Sequence, residues 1–374
     1  MSTEVWNYCA PCLFGIEGIL ADELRRMSAQ NVQAENGRVL FSGGMEILAR
    51  ANITSRYAER VQLLMGRFPA RTFDELFEGV RALPWEEWIG QRDAFPVKGW
   101  SLDSKLHSVP DCQSIVKKAI VERLKSRYHL NWFEETGAVY QVQFTLHKDE
   151  AMLLIDTSGP GLHKRGYRAN AGGAPIKETL AAAIVDLMRC RNAAHVYDPC
   201  CGSGTLLIEA ALAARRIAPG IRRRFAFMDW ESVPNDVWRQ ERQRAMEMEQ
   251  RDRPFAGWGG DVDSACVALA GENAAKAGVG DCVHACVADL KQFRPQGESG
   301  VVLCNPPYGE RLLDVRQAEA LYREMGRVFR PRAGWSYAVI SPHERFEQLF
   351  GRKADKRRKL YNGMLKCQLY MYYK

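Results

Sequence analysis

The apolar run Val301-Val302-Leu303-Cys304 ends abruptly at Asn305-Pro306-Pro307-Tyr308. Consecutive apolar residues of this length read as a strand covered on both faces, the type found in parallel sheets. Two prolines cannot extend a hydrogen-bond ladder, and they fix the backbone just past the strand's carboxyl end. In open α/β sheets that edge is where ligands bind. Asn305 offers a side-chain carbonyl there, Pro306 a backbone carbonyl and Tyr308 an aromatic face. Two acceptors beside a ring suit a planar group with an exocyclic amine, such as a nucleobase. A proline-rich turn with a buried asparagine is the plainer reading of these four residues taken alone.

A segment upstream argues against the plainer reading. Residues 193–197 form a short apolar run, followed by Asp198-Pro199-Cys200-Cys201-Gly202-Ser203-Gly204-Thr205 and a helical pattern over 206–214. Gly202 and Gly204 permit a tight strand-to-helix turn and close approach of backbone to a ligand. The loop lacks the Gly-Lys-Ser/Thr of a P-loop and the third glycine of a nicotinamide fingerprint. Two further strand-like runs end in acids, one at Asp261-Val262-Asp263 and one at Asp289, with a helical pattern over 265–277 between them. Alternation of this kind predicts an α/β domain with a doubly wound sheet. One acid at a strand end is commonly a helix cap. Three in register, followed by Asn-Pro-Pro-Tyr, predict a ligand edge.

Together these segments resemble the class I S-adenosylmethionine (SAM) methyltransferases that act on nucleobase amino groups. The resemblance implies a Rossmann-like domain with a seven-stranded doubly wound sheet and SAM as cofactor. It implies cofactor contacts from Asp198, Cys200, Gly202, Gly204, Thr205, Asp289 and Asn305, with Asp261 favoured over Asp263 for the ribose hydroxyls. The implied catalytic set is Asn305, Pro306, Pro307 and Tyr308. An exocyclic amine is a poor nucleophile because its lone pair delocalises into the ring. Acceptors at Asn305 and Pro306 would align that lone pair and favour the positive charge developing on nitrogen, while Tyr308 stacks on the base. Such chemistry requires no metal.

The segment from Asp156 to Arg168, leading into Ala174-Pro175-Ile176-Lys177-Glu178-Thr179, is similar to the junction between an RNA-binding THUMP domain and its methyltransferase domain. By that likeness Glu178 and Thr179 become further cofactor contacts. The stretch from Phe14 to Leu24 resembles the family's small ferredoxin-like entry domain. The implied organisation is an α+β front half, ferredoxin-like over 1–60 and THUMP over 61–160, then the methyltransferase domain over 161–374. The resemblance points to the bacterial large-subunit ribosomal RNA guanine-N2 methyltransferases, in the form with one catalytic domain. Structured RNA, either 23S ribosomal RNA or an assembling large subunit, is then the expected partner. Transfer to a tRNA guanine, transfer to adenine N6 and a non-catalytic RNA-binding assembly role remain alternatives.

Composition bounds the remaining classes. A chain of 374 residues accommodates two or three domains. It has no apolar stretch of membrane-spanning length and no signal peptide at its start, so a cytoplasmic protein without a membrane partner is expected. Eleven cysteines without framework spacing suit a reducing compartment. Cys9 and Cys12 form a CxxC without a second ligand pair at zinc spacing, so no metal is expected. Residues 1–155 hold 18 Lys and Arg against 20 Asp and Glu, whereas residues 156–374 hold 34 against 25. Basic segments with nearby aromatics suit phosphate contacts plus stacking. The best are the run 352–359, with Lys356, Arg357 and Arg358, and a predicted helix over 114–128 bearing Lys117 and Lys118. A solvated face is the alternative for each. Residues 230–251 read as a polar helical insertion, and 366–373 as a final strand forming an antiparallel hairpin with 336–340.

Overall fold

The computed structural model describes residues 4–168, 176–308 and 315–373. The front half builds one mainly antiparallel sheet. Its strands are β1 (Trp6–Pro11), β2 (Gln30–Glu35), β3 (Arg38–Gly43), β4 (Gln62–Pro69), β5 (Val97–Leu102), β6 (Val142–His147) and β7 (Glu150–Asp156). Helices α1 (Glu17–Arg26), α2 (Met45–Thr54), α3 (Phe73–Arg81) and α4 (Val109–Tyr128) pack against it. The strand order is β2-β3-β1-β4-β7-β6-β5, and only β5 and β6 run parallel. β4 pairs with β1 on one side and β7 on the other, so the ferredoxin-like and THUMP segments share a continuous sheet. α4 starts ahead of the expected Ser114 because Pro110 sits in its first turn, where the missing N–H costs nothing.

The catalytic half holds α5 (Glu178–Leu187), β8 (His195–Asp198), α6 (Thr205–Ala214), α7 (Asn235–Glu247), β9 (Ala256–Asp261), α8 (Ser264–Ala277) and β10 (Val283–Val287). It continues through β11 (Gly300–Cys304), α9 (Val315–Val328), β12 (Trp335–Ser341), α10 (Phe346–Phe350), β13 (Lys356–Asn362) and β14 (Leu365–Tyr372). The sheet order is β10-β9-β8-β11-β12-β14-β13. The first five strands are parallel, and β14 runs antiparallel between β12 and β13. The tail therefore lies beside β12 as expected, but its hairpin partner is β13, the strand formed by the basic run. β9 and β10 are added on one side of β8 and β11 and β12 on the other, so the winding reverses between the parallel strands β8 and β11 and opens a crevice at their carboxyl ends.

Polar seams lock the two halves together. Glu59 accepts from Lys177 Nζ at 2.9 Å, from Thr179 Oγ1 at 2.5 Å and approaches His163 Nδ1 at 3.2 Å. Burial alone would raise this carboxyl, but hydrogen bonds from His163, Thr179 and Lys177 bring it down to about 2. Arg50 donates to both oxygens of Glu241 on α7, at 2.7 and 2.6 Å. Trp230 stacks on Tyr140 at 4.3 Å and donates to the Val139 carbonyl. The polar insertion thus uses its charges and rings to hold the front half.

Candidate active site at the edge of the catalytic sheet

Register places the two motifs side by side. Val301 pairs with Val196 and Val302 with Tyr197, so Asp198 and Asn305 emerge at the same rim from neighbouring strands. Asp198 is buried and accepts from the Cys200 N–H at 3.1 Å. Burial pushes its carboxyl up to about 8; that hydrogen bond opposes the rise, and the charge of Asp261 adds to it. Asp261 accepts from the Gly202 N–H at 2.9 Å and the Asp263 N–H at 3.0 Å. Asp263 itself caps α8 by accepting from the Ala265 N–H. The second acid of this pair is thus a helix cap, and the first faces the glycine loop.

The two glycines answer different needs. Gly204 has φ of +77°, and a Cβ there would lie 3.1 Å from Ala270 on α8, so it permits close helix packing. Gly202 has φ of +50°, and a Cβ there would meet nothing within 4 Å. Its backbone borders open space at the rim, as a ligand cradle requires. Asn273 of α8 donates to the Ser203 carbonyl at 3.0 Å and pins the loop from behind. Cys201 is buried, and Gly259 makes room for its sulfur. Burial raises both the Cys201 and Cys304 thiols, so neither acts as a thiolate nucleophile. Cys200 is half-buried at the same rim.

On the neighbouring strands, Val287 pairs with Asp261 at the ends of β10 and β9. Val287 and Val262 are apolar yet 61% and 72% exposed. They offer a flat ring an apolar platform beside Asp289, whose carboxylate is exposed and also accepts from the Lys291 N–H. Neither valine stands out in the sequence, because each lies in an ordinary strand-end pattern.

Asn305 is the open group of the site. Its Oδ1 is buried and has no hydrogen-bond partner among the described residues. Pro306 beside it is buried and Pro307 half-buried. The Tyr308 hydroxyl accepts from Asn362 Nδ2 at 2.9 Å, with Cys367 Sγ at 4.0 Å. Burial raises the phenol, which stays neutral. The β13–β14 hairpin therefore positions the Tyr308 ring. It reaches the entry segment as well: Arg358 donates to the Gly15 carbonyl at 3.1 and 2.6 Å, and Tyr361 meets Phe14 edge-on.

Other expected residues prove to be committed elsewhere. The Thr179 hydroxyl bonds to Glu59, so this side chain ties the halves together. Glu178 is buried 3.7 Å from Arg168, and burial raises its carboxyl. Arg168 also donates to Thr205 Oγ1 at 2.7 Å, so Thr205 and Glu178 meet through an arginine that sequence reasoning passed over. Lys117, expected on an RNA face, donates to Glu135 at 2.6 Å and to the Phe95 carbonyl, over the Phe95 ring. Arg358 is likewise held by Gly15, and Arg357 lies 3.3 Å from Glu347. Lys118 and Lys356 are exposed. Ala174 and Pro175 lie outside the described residues.

Cys9 and Cys12 are buried, with burial pushing the Cys9 thiol up to about 12. Among the described residues, no three His, Cys, Asp or Glu side chains are grouped to hold a metal ion. Among them, too, no helix is long and apolar enough to cross a membrane.

Residues 165–371 match the family described as RMKL-like, methyltransferase domain. Residues 7–62 match the RlmL ferredoxin-like domain and residues 70–156 the THUMP domain. A Bacillus subtilis (strain 168) protein named "Putative RNA methyltransferase YpsC" is 46% identical over 98% of this chain and 96% of its own. "Ribosomal RNA large subunit methyltransferase K/L" of Psychromonas ingrahamii is 33% identical over 98% of this chain. This chain spans only 50% of that relative's length. The crystal structure of SMU.472, "a putative methyltransferase complexed with SAH", superposes with a TM-score of 0.94 at 44% identity, covering 100% of this chain and 99% of that one.

Proposed function

The chain belongs to the RMKL-like methyltransferase family, and on that premise we propose that it methylates the exocyclic N2 of a guanine in large-subunit ribosomal RNA. The observation that carries this reading is the Oδ1 of Asn305 at the crevice rim, buried and without a partner among the described residues. Leaving a buried acceptor open costs about 1–3 kcal/mol. An N–H of the target amine would remove that cost and, in doing so, aim the nitrogen lone pair.

The protein is a SAM-dependent RNA methyltransferase; SAM supplies an electrophilic methyl group on a sulfonium. The residues present fit that ligand. Gly202 borders open space, Asp261 faces the loop, and Val262 and Val287 flank the position for a flat ring. In the proposed mechanism Asn305 accepts from the amine while positive charge grows on its nitrogen, and Tyr308, oriented through Asn362, presents its ring to the base. The base leaves its stack to reach this point. After transfer the nitrogen releases a proton to water, and no strong base is required.

The choice of an amine rests on Asn305. The choice of guanine in large-subunit RNA rests on the likeness to the K/L relatives and on the THUMP-like front half. The test combines methyl-labelled SAM and purified protein with unmodified ribosomal RNA, tRNA and DNA in parallel, followed by digestion to nucleosides. Label in N2-methylguanosine from ribosomal RNA is expected. The same nucleoside from tRNA alone would change the substrate. Label in N6-methyladenine would overturn the base assignment, and no transfer to any nucleic acid would favour a non-catalytic RNA-binding role.

A further inference from the structure

A cleft of about 540 Å³ opens where the entry segment meets the catalytic half. Its walls come from the end of α1, from α2, from the end of α5 and from α7. With a rise of 1.5 Å per residue along α5, its wall residue Asp186 lies roughly 12 Å from Glu178. The cleft is thus distinct from the crevice that holds Asn305.

Seven arginines line this cleft against three carboxylates. Two of the carboxylates are already matched: Glu241 holds Arg50, and Asp186 lies 3.9 Å from Arg191. The third, Glu23, is buried and accepts from the Ser55 hydroxyl and the Arg56 N–H, and burial favours its protonated form. Arg56 Nη2 donates to the carbonyls of Leu212 at 3.1 Å and Ile217 at 2.8 Å. Its Nη1 is buried without an acceptor among the described residues. Arg26 and Arg216 stand exposed at the rim, and their side chains make no hydrogen bond or ion pair to any described residue. Between the arginines the floor is apolar, with Ala182, Val185, Ala213 and Ala218.

A guanidinium nitrogen withdrawn from water without an acceptor is costly, and a bound anion removes that cost. Arginine forks match phosphate oxygens in geometry as well as charge. An apolar floor beneath them suits a sugar or base, and the volume falls in the range of small-ligand sites.

We propose that this cleft binds a nucleotide unit, its phosphate on Arg26, Arg56 and Arg216 and its sugar or base against the floor. The unit can arrive within an RNA chain or as a free nucleotide. Within RNA it gives the substrate a second anchor that bridges the two halves of the protein. The near-balanced charge of residues 1–155 conceals such an anchor, because its arginines come from both halves.

The test uses the full chain and the double variant Arg26→Glu/Arg216→Glu, which changes two exposed, unpaired residues and leaves the Arg56 bonds in place. Guanosine 5′-monophosphate binding is measured by calorimetry with the cofactor site saturated by S-adenosylhomocysteine. A single-stranded oligoribonucleotide carrying a photoreactive base is crosslinked and its attachment sites are mapped. Nucleotide binding, or a crosslink at the cleft, is expected to fall roughly tenfold or more in the double variant, as befits lost charge-assisted hydrogen bonds. Thermal midpoint and SAM affinity should be unchanged.

A crosslink without mononucleotide binding assigns the site to RNA. Mononucleotide binding that the oligonucleotide does not displace assigns it to a free nucleotide. Absence of both, or signals insensitive to the double variant, overturns the proposal. None of these readouts depends on which base is methylated, so failure of the guanine assignment would be seen separately.

Discussion

On α4, Lys117 is bound to Glu135, Arg123 to both oxygens of Glu86, and Lys125 to Glu122. At the end of β11, by contrast, Asn305 holds a buried carbonyl oxygen that no donor among the described residues meets, and at the end of β8 burial keeps Asp198 protonated up to about 8. The two regions draw on similar polar residues, but in one the charges close on each other and in the other they wait. Closed pairs fix a scaffold, whereas an open buried group is costly unless a ligand completes it. The density of basic residues along a segment is therefore a poorer guide to function here than the hydrogen-bond state of each side chain.

Substitutions away from Asn305 can break or sharpen this contrast. The largest effect is expected at Asp261, whose carboxylate faces the glycine loop. Asp261→Leu should weaken SAM binding by about a hundredfold, the scale of one or two charged hydrogen bonds. Equilibrium dialysis would show it, and undiminished affinity would place the cofactor's hydroxyls elsewhere.

Next comes the pH dependence at Asp198. If Asp198 receives the cofactor's ammonium group, its carboxyl, which ionises near 8, must first lose its proton. SAM affinity should rise with pH from about 6.5 toward a maximum near 8 and fall above it, where the cofactor's own amino group, ordinarily about 7.7–8.0, loses its charge, and Asp198→Asn should remove the rising limb. Calorimetry from pH 6.5 to about 9 reads this, and a flat wild-type profile contradicts it. The stability of the ligand-free protein has the opposite sign. The folded state holds this proton more tightly than the unfolded one, whose reference value is 3.8, so stability is lost as pH climbs toward about 8.

Asn362→Leu should lower methyl transfer about fivefold, the scale of one neutral hydrogen bond, with SAM affinity unchanged. An equal loss of SAM binding would show that the hairpin supports the fold rather than the Tyr308 ring. The smallest functional effect belongs to Lys117. Lys117→Ala should cost about 1 kcal/mol of stability yet leave the salt dependence of RNA binding intact. Lys356→Ala should instead reduce that salt slope by about one charge. If Lys117→Ala moved the slope and Lys356→Ala did not, the distinction drawn here between closed and open basic residues would fail.

In the catalytic sheet, strands β8, β9, β10 and β11 were legible because each is a short run that ends at or just before a polar residue, Asp198, Asp261, Asp289 or Asn305. Its antiparallel edge was half legible. The tail's place beside β12 follows from its alternation, but the basic run gives no sign that it forms β13. Long-range partners were the least visible. Asn362 meets Tyr308 across 54 residues, and Thr179 meets Glu59 across 120. Sequence pattern ranks residues by local element and strand position, and it carries no record of which distant side chain satisfies which group. For the same reason nothing in the sequence ties Thr179 to Glu59 or Lys117 to Glu135.

The most direct test of the account is single-turnover methyl transfer by Asn305→Ala to unmodified ribosomal RNA, with SAM and RNA affinities measured on the same protein. If the open carbonyl receives the target amine, transfer falls by roughly a hundredfold to a thousandfold while both affinities stay near wild type. Transfer at the wild-type rate would show that the amine is aligned by something other than Asn305.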